Sequence, residues 1–199
     1  MAENFLRIAF TPSVLDTQRR TYGRAQGPLP AGEVDEIGPD ERAFLEERDS
    51  FYMATVTETG WPYVQHRGGP AGFLHVLDEH TLAFADVRGN RQLVSAGNLT
   101  HDSRVALILV DYPRRARLKV LGRATLLDPK EHPELAAKLL PAGKVERIVK
   151  IEVVGLDWNC PQNLTPRYTE PEVLAYTAQL RERITELEAQ LAAKGPSDG

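Results

Sequence analysis

The segment from Ala85 to Gln92 carries the side chains best suited to binding an anion. It reads Ala-Asp-Val-Arg-Gly-Asn-Arg-Gln, follows a predicted strand and opens a predicted short helix over 91–97. A helix start offers free backbone N–H groups and a positive dipole end, and arginine adds charged paired donors. The pattern predicts an anion site, and a solvated polar turn is the alternative. The candidate residues are Ala85, Asp86, Arg88, Asn90, Arg91 and Gln92.

A second unusual segment runs from His66 to Gly72 and reads His-Arg-Gly-Gly-Pro-Ala-Gly. It interrupts what would otherwise be a continuous hairpin strand. Glycine weakens a strand and often marks a bulge or a close approach of the backbone to a ligand. An ordinary loop is the alternative interpretation.

A third segment, Arg114 to Lys119, is strongly basic. On a strand, Arg115, Arg117 and Lys119 would share one face. Like charges on one face repel unless an anion or carboxylates lie opposite them. The pattern therefore indicates either a solvated face or a site for an anion such as phosphate.

Metal and nucleophile chemistry finds less support in the sequence. The histidines show no ligand spacing with Cys160 or with a carboxylate on a helix, so no metal site is predicted. Cys160 is the only cysteine and cannot form an intramolecular disulfide. It has no neighbouring base in the sequence, which favours a structural thiol over a redox thiol.

Short β-branched and aromatic runs must position these segments. Strands are predicted at 51–57, 63–67, 72–77, 81–85, 104–111, 117–127 and 148–156. The run 104–111 is almost wholly apolar, which predicts burial on both faces. Tight turns between strands and few helices predict a mainly β protein, an antiparallel barrel or sandwich without βαβ units.

The remaining segments are predicted as helices or as an arm. A helix over 40–49 would bury Phe44 and Leu45, and another would open at Asp128 with a capping-box pattern. Residues 1–38 have weak periodicity and predict an extended arm that lies on the body or on a partner subunit. The predicted division is an arm over 1–39, a barrel domain over 40–168, a helix over 169–194 and a tail over 195–199.

The C-terminal helix carries a heptad seam after a capping box at Thr169 to Glu172. Arg183 and Glu188 flank the seam, where their charges could attract each other across a parallel pair of helices. Packing of this amphipathic helix on its own barrel is an equal alternative. The seam residues are Val173, Thr177, Leu180, Ile184, Leu187 and Leu191.

Composition limits the classes of function. The chain has 199 residues, is 42% hydrophobic and 26% charged, and has a net charge of −4, which disfavours nucleic-acid binding. No signal-peptide core is visible near the N-terminus, and the longest apolar run, Val105 to Val110, is too short to span a bilayer. We therefore predict a soluble cytoplasmic protein with no membrane or nucleic-acid partner.

The order of these pieces resembles the pyridoxamine 5′-phosphate oxidase-like, FMN-binding split-barrel family over about 40–160. The first strand leads into the turn Gly60-Trp61-Pro62, and the returning strand closes on Arg67. A strand ending near Phe84 then precedes the polar segment, an apolar strand and a basic strand ending in Gly122-Arg123. The resemblance implies an antiparallel split β-barrel with short helices, assembled as a homodimer with FMN at the subunit interface.

The resemblance also implies roles for particular residues. In the family, the end of the second strand contacts the flavin, and the segment after the fourth strand holds its phosphate. Asn90 and Arg91 match that phosphate segment, and Arg117 matches a polar position before the Gly122 element that would lie near the flavin pyrimidine edge. In the family, a second subunit usually contributes aromatic and polar residues from near its C-terminus to the flavin site. Trp158 could be such a residue or, equally, part of the core. The further candidates are His66, Arg67 and Gly68, and Trp158, Asn159 and Gln162.

Two departures from the family pattern bear on function. No histidine follows Arg167 as it does in the vitamin oxidases, and Gly68 to Gly72 replace the usual lysine after the first arginine. The resemblance therefore implies an FMN-dependent oxidoreductase acting on a small molecule or reductant, but not the vitamin oxidase. The alternatives are a non-catalytic flavin carrier or sensor, a barrel using deazaflavin or haem, and a dimeric scaffold without a cofactor.

Overall fold

The computed structural model describes residues 3–27, 32–139 and 144–194. The predicted tail, 195–199, lies outside the described residues. The helices are α1 Glu3–Ala9, α2 Pro12–Tyr22, α3 Pro39–Glu46, α4 Val94–His101, α5 Pro133–Lys138 and α6 Glu170–Lys194. The strands are β1 Ser50–Val56, β2 Pro62–Gly68, β3 His75–Asp78, β4 Thr81–Val87, β5 Arg104–Asp111, β6 Ala116–Leu127 and β7 Val145–Asn159.

The strands form one antiparallel sheet in the order β2-β1-β5-β6-β7-β4-β3. The long strands β6 and β7 lie in the middle of the sheet and pair along most of their length. The predicted fold class, an antiparallel split barrel with short helices and a C-terminal helix, is confirmed. The prediction of a helix that buries Phe44 and Leu45 is also confirmed, by α3.

Alternation along the strands builds the core. On β1, Phe51 and Met53 are buried while Tyr52 is exposed, as the two-residue period of a strand requires. The ring of Phe51 stacks on Phe73 at 5.4 Å and meets Phe84 edge-on at 5.4 Å between ring centroids. These three rings close the core beneath the ends of β2 and β4, which fixes the backbone on which the candidate site is built.

The prediction that β5 is buried on both faces is wrong for the single chain. Val105, Leu107 and Leu109 are buried, whereas Ala106 and Ile108 are only half-buried. The apolar outer side chains of β5 therefore lie at the surface of the protomer.

The prediction of an extended N-terminal arm is also wrong, because α1 and α2 are helices. Part of the prediction holds, since α1 lies on the body with Asn4 and Phe5 buried. Asp35 fixes this contact, because its carboxylate accepts backbone N–H bonds from Asn4 at 3.1 Å, Phe5 at 2.9 Å and Leu156 at 3.0 Å. One carboxylate thus joins α1 to β7.

We expect Asp35→Ala to lower the free energy of unfolding by about 1–3 kcal/mol, because three backbone donors lose a charged acceptor. Urea unfolding followed by circular dichroism measures the change, and limited proteolysis reports early cleavage near α1. Glu58→Ala, in the exposed β1–β2 turn, is the matched control and should unfold like the parent protein. Equal midpoints for Asp35→Ala and the control would contradict the role given to Asp35.

Two further helix predictions are wrong in position. The capping-box pattern at Asp128 forms a turn, in which Asp128 accepts the N–H of Lys130 at 2.8 Å, and α5 begins only at Pro133. The helix predicted over 91–97 begins at Val94, because Arg91 and Leu93 adopt left-handed backbone conformations with φ of 63° and 55°. The polar segment is therefore a strained loop that leads into α4.

The predicted C-terminal helix is confirmed as α6, and one half of its predicted capping box forms, in which Glu172 binds back to Thr169. Glu172 accepts the backbone N–H of Thr169 at 2.7 Å and its hydroxyl at 2.8 Å. These hydrogen bonds hold the pKa of Glu172 below its ordinary value. The alternative that α6 packs on its own barrel finds no support, because the described side chains of α6 are exposed except for half-buried Thr177.

Candidate functional site

A cleft of about 270 Å³ lies between the ends of β2 and β4, the start of β7 and the start of α4. Two of the sequence segments singled out above meet there. The antiparallel pairing of β4 with β7 brings the start of the first segment, Ala85 and Asp86, beside residues that are far away in sequence. The predicted site residues that line the cleft are His66, Arg67, Gly68, Ala85, Asp86, Asn90, Arg91 and Gln92.

An ion triad forms one wall of the cleft. Asp86 accepts a hydrogen bond from Arg67 Nη1 at 2.8 Å through one carboxylate oxygen, and from Arg147 Nε at 2.9 Å through the other. Asp86 and Arg147 are direct partners across the β4–β7 pair, and Arg67 reaches them from β2. The carboxylate therefore fixes two guanidinium groups against each other at the cleft.

Two polar atoms at the cleft have no hydrogen-bond partner among the described residues. They are Arg67 Nε and Ser95 Oγ, and both are buried. Ser95 as a whole is only 4% exposed. Because buried polar groups in folded proteins nearly always have partners, these two atoms require a partner from outside the described residues, an ordered water or a bound ligand.

The loop before α4 presents its backbone to the same cleft. Arg91 and Leu93 hold left-handed conformations although neither is glycine, which is strain of a kind concentrated at binding sites. Successive N–H groups in such a loop can form a concave anion site, and the free amides of α4 continue it. Asn90 steadies the loop, because its Oδ1 accepts the N–H of Gln92 at 3.1 Å.

The charges around the cleft favour an anion. Arg67, Arg91 and Arg147 are among its lining residues, opposed by Asp86 and Glu146, so the residues around it carry one positive charge in excess. Arg88 flanks the cleft without lining it, and its Nε lies 4.0 Å from a carboxylate oxygen of Glu146. The arrangement is chemically suited to hold a phosphate-sized anion through arginine forks, a hydroxyl and helix amides.

The glycine-rich segment is explained mainly by packing of the chain on itself. A Cβ atom on Gly69 would lie 2.6 Å from the ring of Phe73. Gly72 has φ of 79°, and a Cβ there would lie 3.0 Å from the carbonyl oxygen of Glu46. These glycines permit close approach to protein atoms, whereas Gly68 lines the cleft itself.

The remaining candidates lie elsewhere in the protomer. Arg117 pairs with Asn159 at the far end of β7, about 40 Å along that strand from Arg147. Its guanidinium donates to the carbonyl of Cys160 and, at 3.1 Å, to that of Gln162. Within one protomer, Arg117, Asn159 and Gln162 are therefore not brought to the cleft.

Trp158 has an intramolecular role in the same region. Its Nε1 donates to Glu41 at 2.6 Å, and its ring meets that of Phe44 edge-on at 4.9 Å between centroids. The side chain is nevertheless partly exposed. The neighbouring basic residues also have partners, since Lys119 binds Asp157 at 2.9 Å and Arg115 donates to the carbonyl of Pro161 at 3.1 Å.

Ser95 and Arg147 are among the cleft residues that sequence reasoning missed. Ser95 carried a usable signal, a hydroxyl in the first turn of a helix that follows an arginine-rich loop. Arg147 carried little signal, because it precedes the apolar run that predicted a strand from Ile148. Only the register of β7 against β4 shows that Arg147 faces Asp86.

No group of three or more histidine, cysteine, aspartate or glutamate residues is arranged to hold a metal ion in the described part of the chain. Among the described helices, none is both long and apolar enough to cross a bilayer.

The antiparallel sheet with a cationic cleft at its edge defines the class of protein by its fold, a split β-barrel. Residues 37–152, more than half of the chain, match the profile of the family described as pyridoxamine 5′-phosphate oxidase. The chain belongs to the pyridoxamine 5′-phosphate oxidase family. No curated protein sequence matches it.

Several solved structures resemble the chain. HupZ of Group A Streptococcus is 14% identical with a TM-score of 0.48, and the match covers 66% of this chain and 99% of HupZ. An FMN-binding protein from Syntrophomonas wolfei is 13% identical with a TM-score of 0.46, covering 60% of this chain and 83% of that one. A protein described as an F420 reductase is 21% identical with a TM-score of 0.41, covering 65% and 98%.

Proposed function

We propose that the protein is an FMN-dependent oxidoreductase that acts on a small molecule. The observation that carries the proposal is the pair of buried donors, Arg67 Nε and Ser95 Oγ, that lack partners in a cationic cleft. Membership of the family supports a flavin as the occupant, and the donor set suits the phosphate of FMN. Such a protein would act in the cytoplasm, as the sequence predicts.

The phosphate of FMN would lie at the start of α4. There the backbone amides, the Ser95 hydroxyl and the Arg91 guanidinium all serve as donors to a dianion. Arg67 would donate from β2, and Asp86 together with Arg147 would hold its guanidinium in place. Ala85, Gln92 and Gly68 form walls of the cleft.

When bound, FMN supplies hydride and electron transfer, and the protein supplies binding and orientation. No acid–base pair from the protein is required for transfer to the flavin ring. The excess positive charge of the cleft would favour the anionic form of the reduced flavin. His66, at the end of β2, would contact the flavin from the side of Tyr52, whose ring it meets at 5.4 Å.

The cleft of one protomer is too small to enclose the whole nucleotide. Its volume of about 270 Å³ is below the roughly 300–1,000 Å³ of ordinary ligand pockets. A second copy of the chain would complete it in a homodimer. Trp158, Asn159 and Gln162, with Arg117 beside them, are our candidates for that contribution, because they lie far from the cleft of their own protomer.

The outer face of the sheet supports such a dimer. It carries an outer apolar patch whose members are exposed or half-buried in the single chain. Monomers rarely leave a contiguous apolar face of this kind to water, and β5 has the composition of a strand buried on both faces. The outer apolar patch consists of Tyr52, Val64, Ala106, Ile108 and Leu121.

We expect Ile108→Lys to convert the dimer to monomers, because a charge would be buried without a partner at the centre of the interface. Light scattering after gel filtration measures the mass, and retained FMN is measured on the same peak. Thr125→Lys, on the exposed part of β6, is the control and should stay dimeric. A dimer that survives Ile108→Lys would place the interface elsewhere.

The oxidoreductase part of the proposal is tested with reductants. The FMN-loaded protein should consume NADH or NADPH faster than free FMN at equal concentration. If the loaded protein and free FMN consume NADH at the same rate, and likewise NADPH, the protein is a carrier or sensor instead. Oxidation of the vitamin phosphate is not part of the proposal, because no histidine follows Arg167, whose guanidinium lies over the ring of Tyr112 at 4.9 Å.

A further inference from the structure

The helix α6 presents a continuous apolar seam to solvent. Val173, Leu180, Ile184, Leu187 and Leu191 are between 41% and 70% exposed. They recur at alternating spacings of four and three residues, which keeps them on one side of the helix. Thr177 completes the seam, and its hydroxyl is already satisfied by the carbonyl of Val173 at 2.8 Å, which leaves its methyl group for packing.

We propose that α6 forms a parallel two-stranded coiled coil with α6 of a second copy of the chain. The spacings place Thr177, Ile184 and Leu191 at the first core position of the heptad and Val173, Leu180 and Leu187 at the second. In the middle of the seam, Ile184 at the first position lies between Leu180 and Leu187 at the second, the combination that favours parallel dimers. The proposal does not depend on flavin binding.

The charges beside the seam select the parallel orientation. In a parallel pair, Arg183 lies beside Glu188 of the other helix, and the symmetry of the pair repeats this attraction. In the antiparallel pair that buries the whole seam, Arg183 lies beside its own copy, and so does Arg181. The parallel pair therefore gains opposite charges where the antiparallel pair gains like charges.

The base of α6 is fixed to the barrel, which restricts how two copies can meet. The hydrogen bond from the Thr169 N–H to Glu172 starts the helix, and the ring of Tyr168 meets that of Tyr176 at 5.9 Å between centroids. Arg167, just before them, lies over Tyr112 in the β5–β6 turn. Two equivalent barrels related by a twofold axis that runs along α6 present their helices side by side and parallel, beginning at the same height.

Cysteine cross-linking of the full chain tests the proposal. In a Cys160→Ser background, Leu187→Cys should link to its own copy in a glutathione redox buffer. Cβ atoms at facing core positions come within the distance of about 4 Å that a disulfide requires. Glu182→Cys, on the opposite side of α6, is the matched control. We expect the covalent dimer to form at least about ten times faster with Leu187→Cys than with the control.

Two outcomes would overturn the proposal. One is equal cross-linking of Leu187→Cys and Glu182→Cys. The other is a heterodimer formed preferentially when separate Thr177→Cys and Leu187→Cys proteins are mixed, because those positions meet only in the antiparallel pair. Both positions lie on an exposed helix, so an unchanged thermal transition of the barrel shows that each variant is folded.

A charge exchange gives an independent test in the Leu187→Cys background. Arg183→Glu should slow cross-linking, because it places two like charges beside each other in the parallel pair. Adding Glu188→Arg should restore the original rate, since the opposite charges are then exchanged rather than lost. Failure of the double variant to recover would show that these side chains do not meet between helices.

Discussion

Replacing Arg67 by glutamine is expected to weaken FMN binding about ten- to one-hundred-fold. The change removes charged hydrogen bonds that are each worth about 1.5–3 kcal/mol and deletes the buried Nε that has no partner within the described protein. Titration of the apoprotein with FMN, followed by quenching of flavin fluorescence, measures the dissociation constant. Glutamine keeps much of the side chain's length, so packing beneath the cleft is largely preserved.

A charge-matched control distinguishes the loss of a contact in the site from the loss of one positive charge anywhere on the protein. Arg123→Gln removes the same charge from the exposed part of β6, where the guanidinium only reaches Ser103 at 3.4 Å. Its FMN affinity should stay within about two-fold of the parent value, because surface charges act weakly through water. If the two variants bound FMN equally well, Arg67 would have no part in the site.

Asp86→Ala should produce the largest loss of stability, about 2–3 kcal/mol in the absence of FMN. The substitution leaves Arg67 and Arg147 facing each other without the carboxylate that binds both, and all three side chains are largely buried. Urea unfolding at equilibrium measures the loss. Asp16→Ala, which removes a surface partner of Arg19, should cost less than about 1 kcal/mol.

Inorganic phosphate should distinguish a binding site from a purely structural triad. An anion that binds the folded protein alone stabilises it by mass action. With the carboxylate removed, the cleft has a larger positive excess, so phosphate should restore more stability to Asp86→Ala than it adds to the parent protein. An equal effect on both proteins would mean that the triad holds the strands together without serving an anion.

The parts of the site that could be predicted from the sequence are those that depend on local order. Arg67 closes a recognisable hairpin strand, and Asn90 and Arg91 precede a recognisable helix, so both signals survive without knowledge of the fold. Arg147 could not be found in this way. Its place beside Asp86 depends on the register of two strands that are 61 residues apart at that hydrogen bond.

The N-terminal helices show a different kind of failure. Signals for α2 were present, since Thr11 precedes a proline at the first helical position and Gly23 ends the helix with φ of 70°. Weak apolar periodicity outweighed them, because α2 has no buried residue and therefore needs no apolar face. At Asp128 the error is the reverse, because the capping pattern predicts a helix where the chain forms a turn.

Contacts between subunits could not be derived from the sequence alone or from the structure of one protomer alone. The seam of α6 was visible in the sequence, and the structure adds that its side chains do not pack on the barrel. The assignments of Arg117, Asn159 and Gln162 came from family resemblance, and they require a second protomer at the cleft. The outer apolar patch and α6 therefore offer two separate surfaces on which assembly can be tested.

The absorbance spectrum of the freshly purified protein, with mass spectrometry of what heat releases, tests the central claim most directly. We predict flavin absorption bands and a released molecule with the mass of FMN. A deazaflavin or haem spectrum would show that the barrel binds a cofactor and that this cofactor is not FMN. A colourless protein that also fails to bind added FMN would contradict the account.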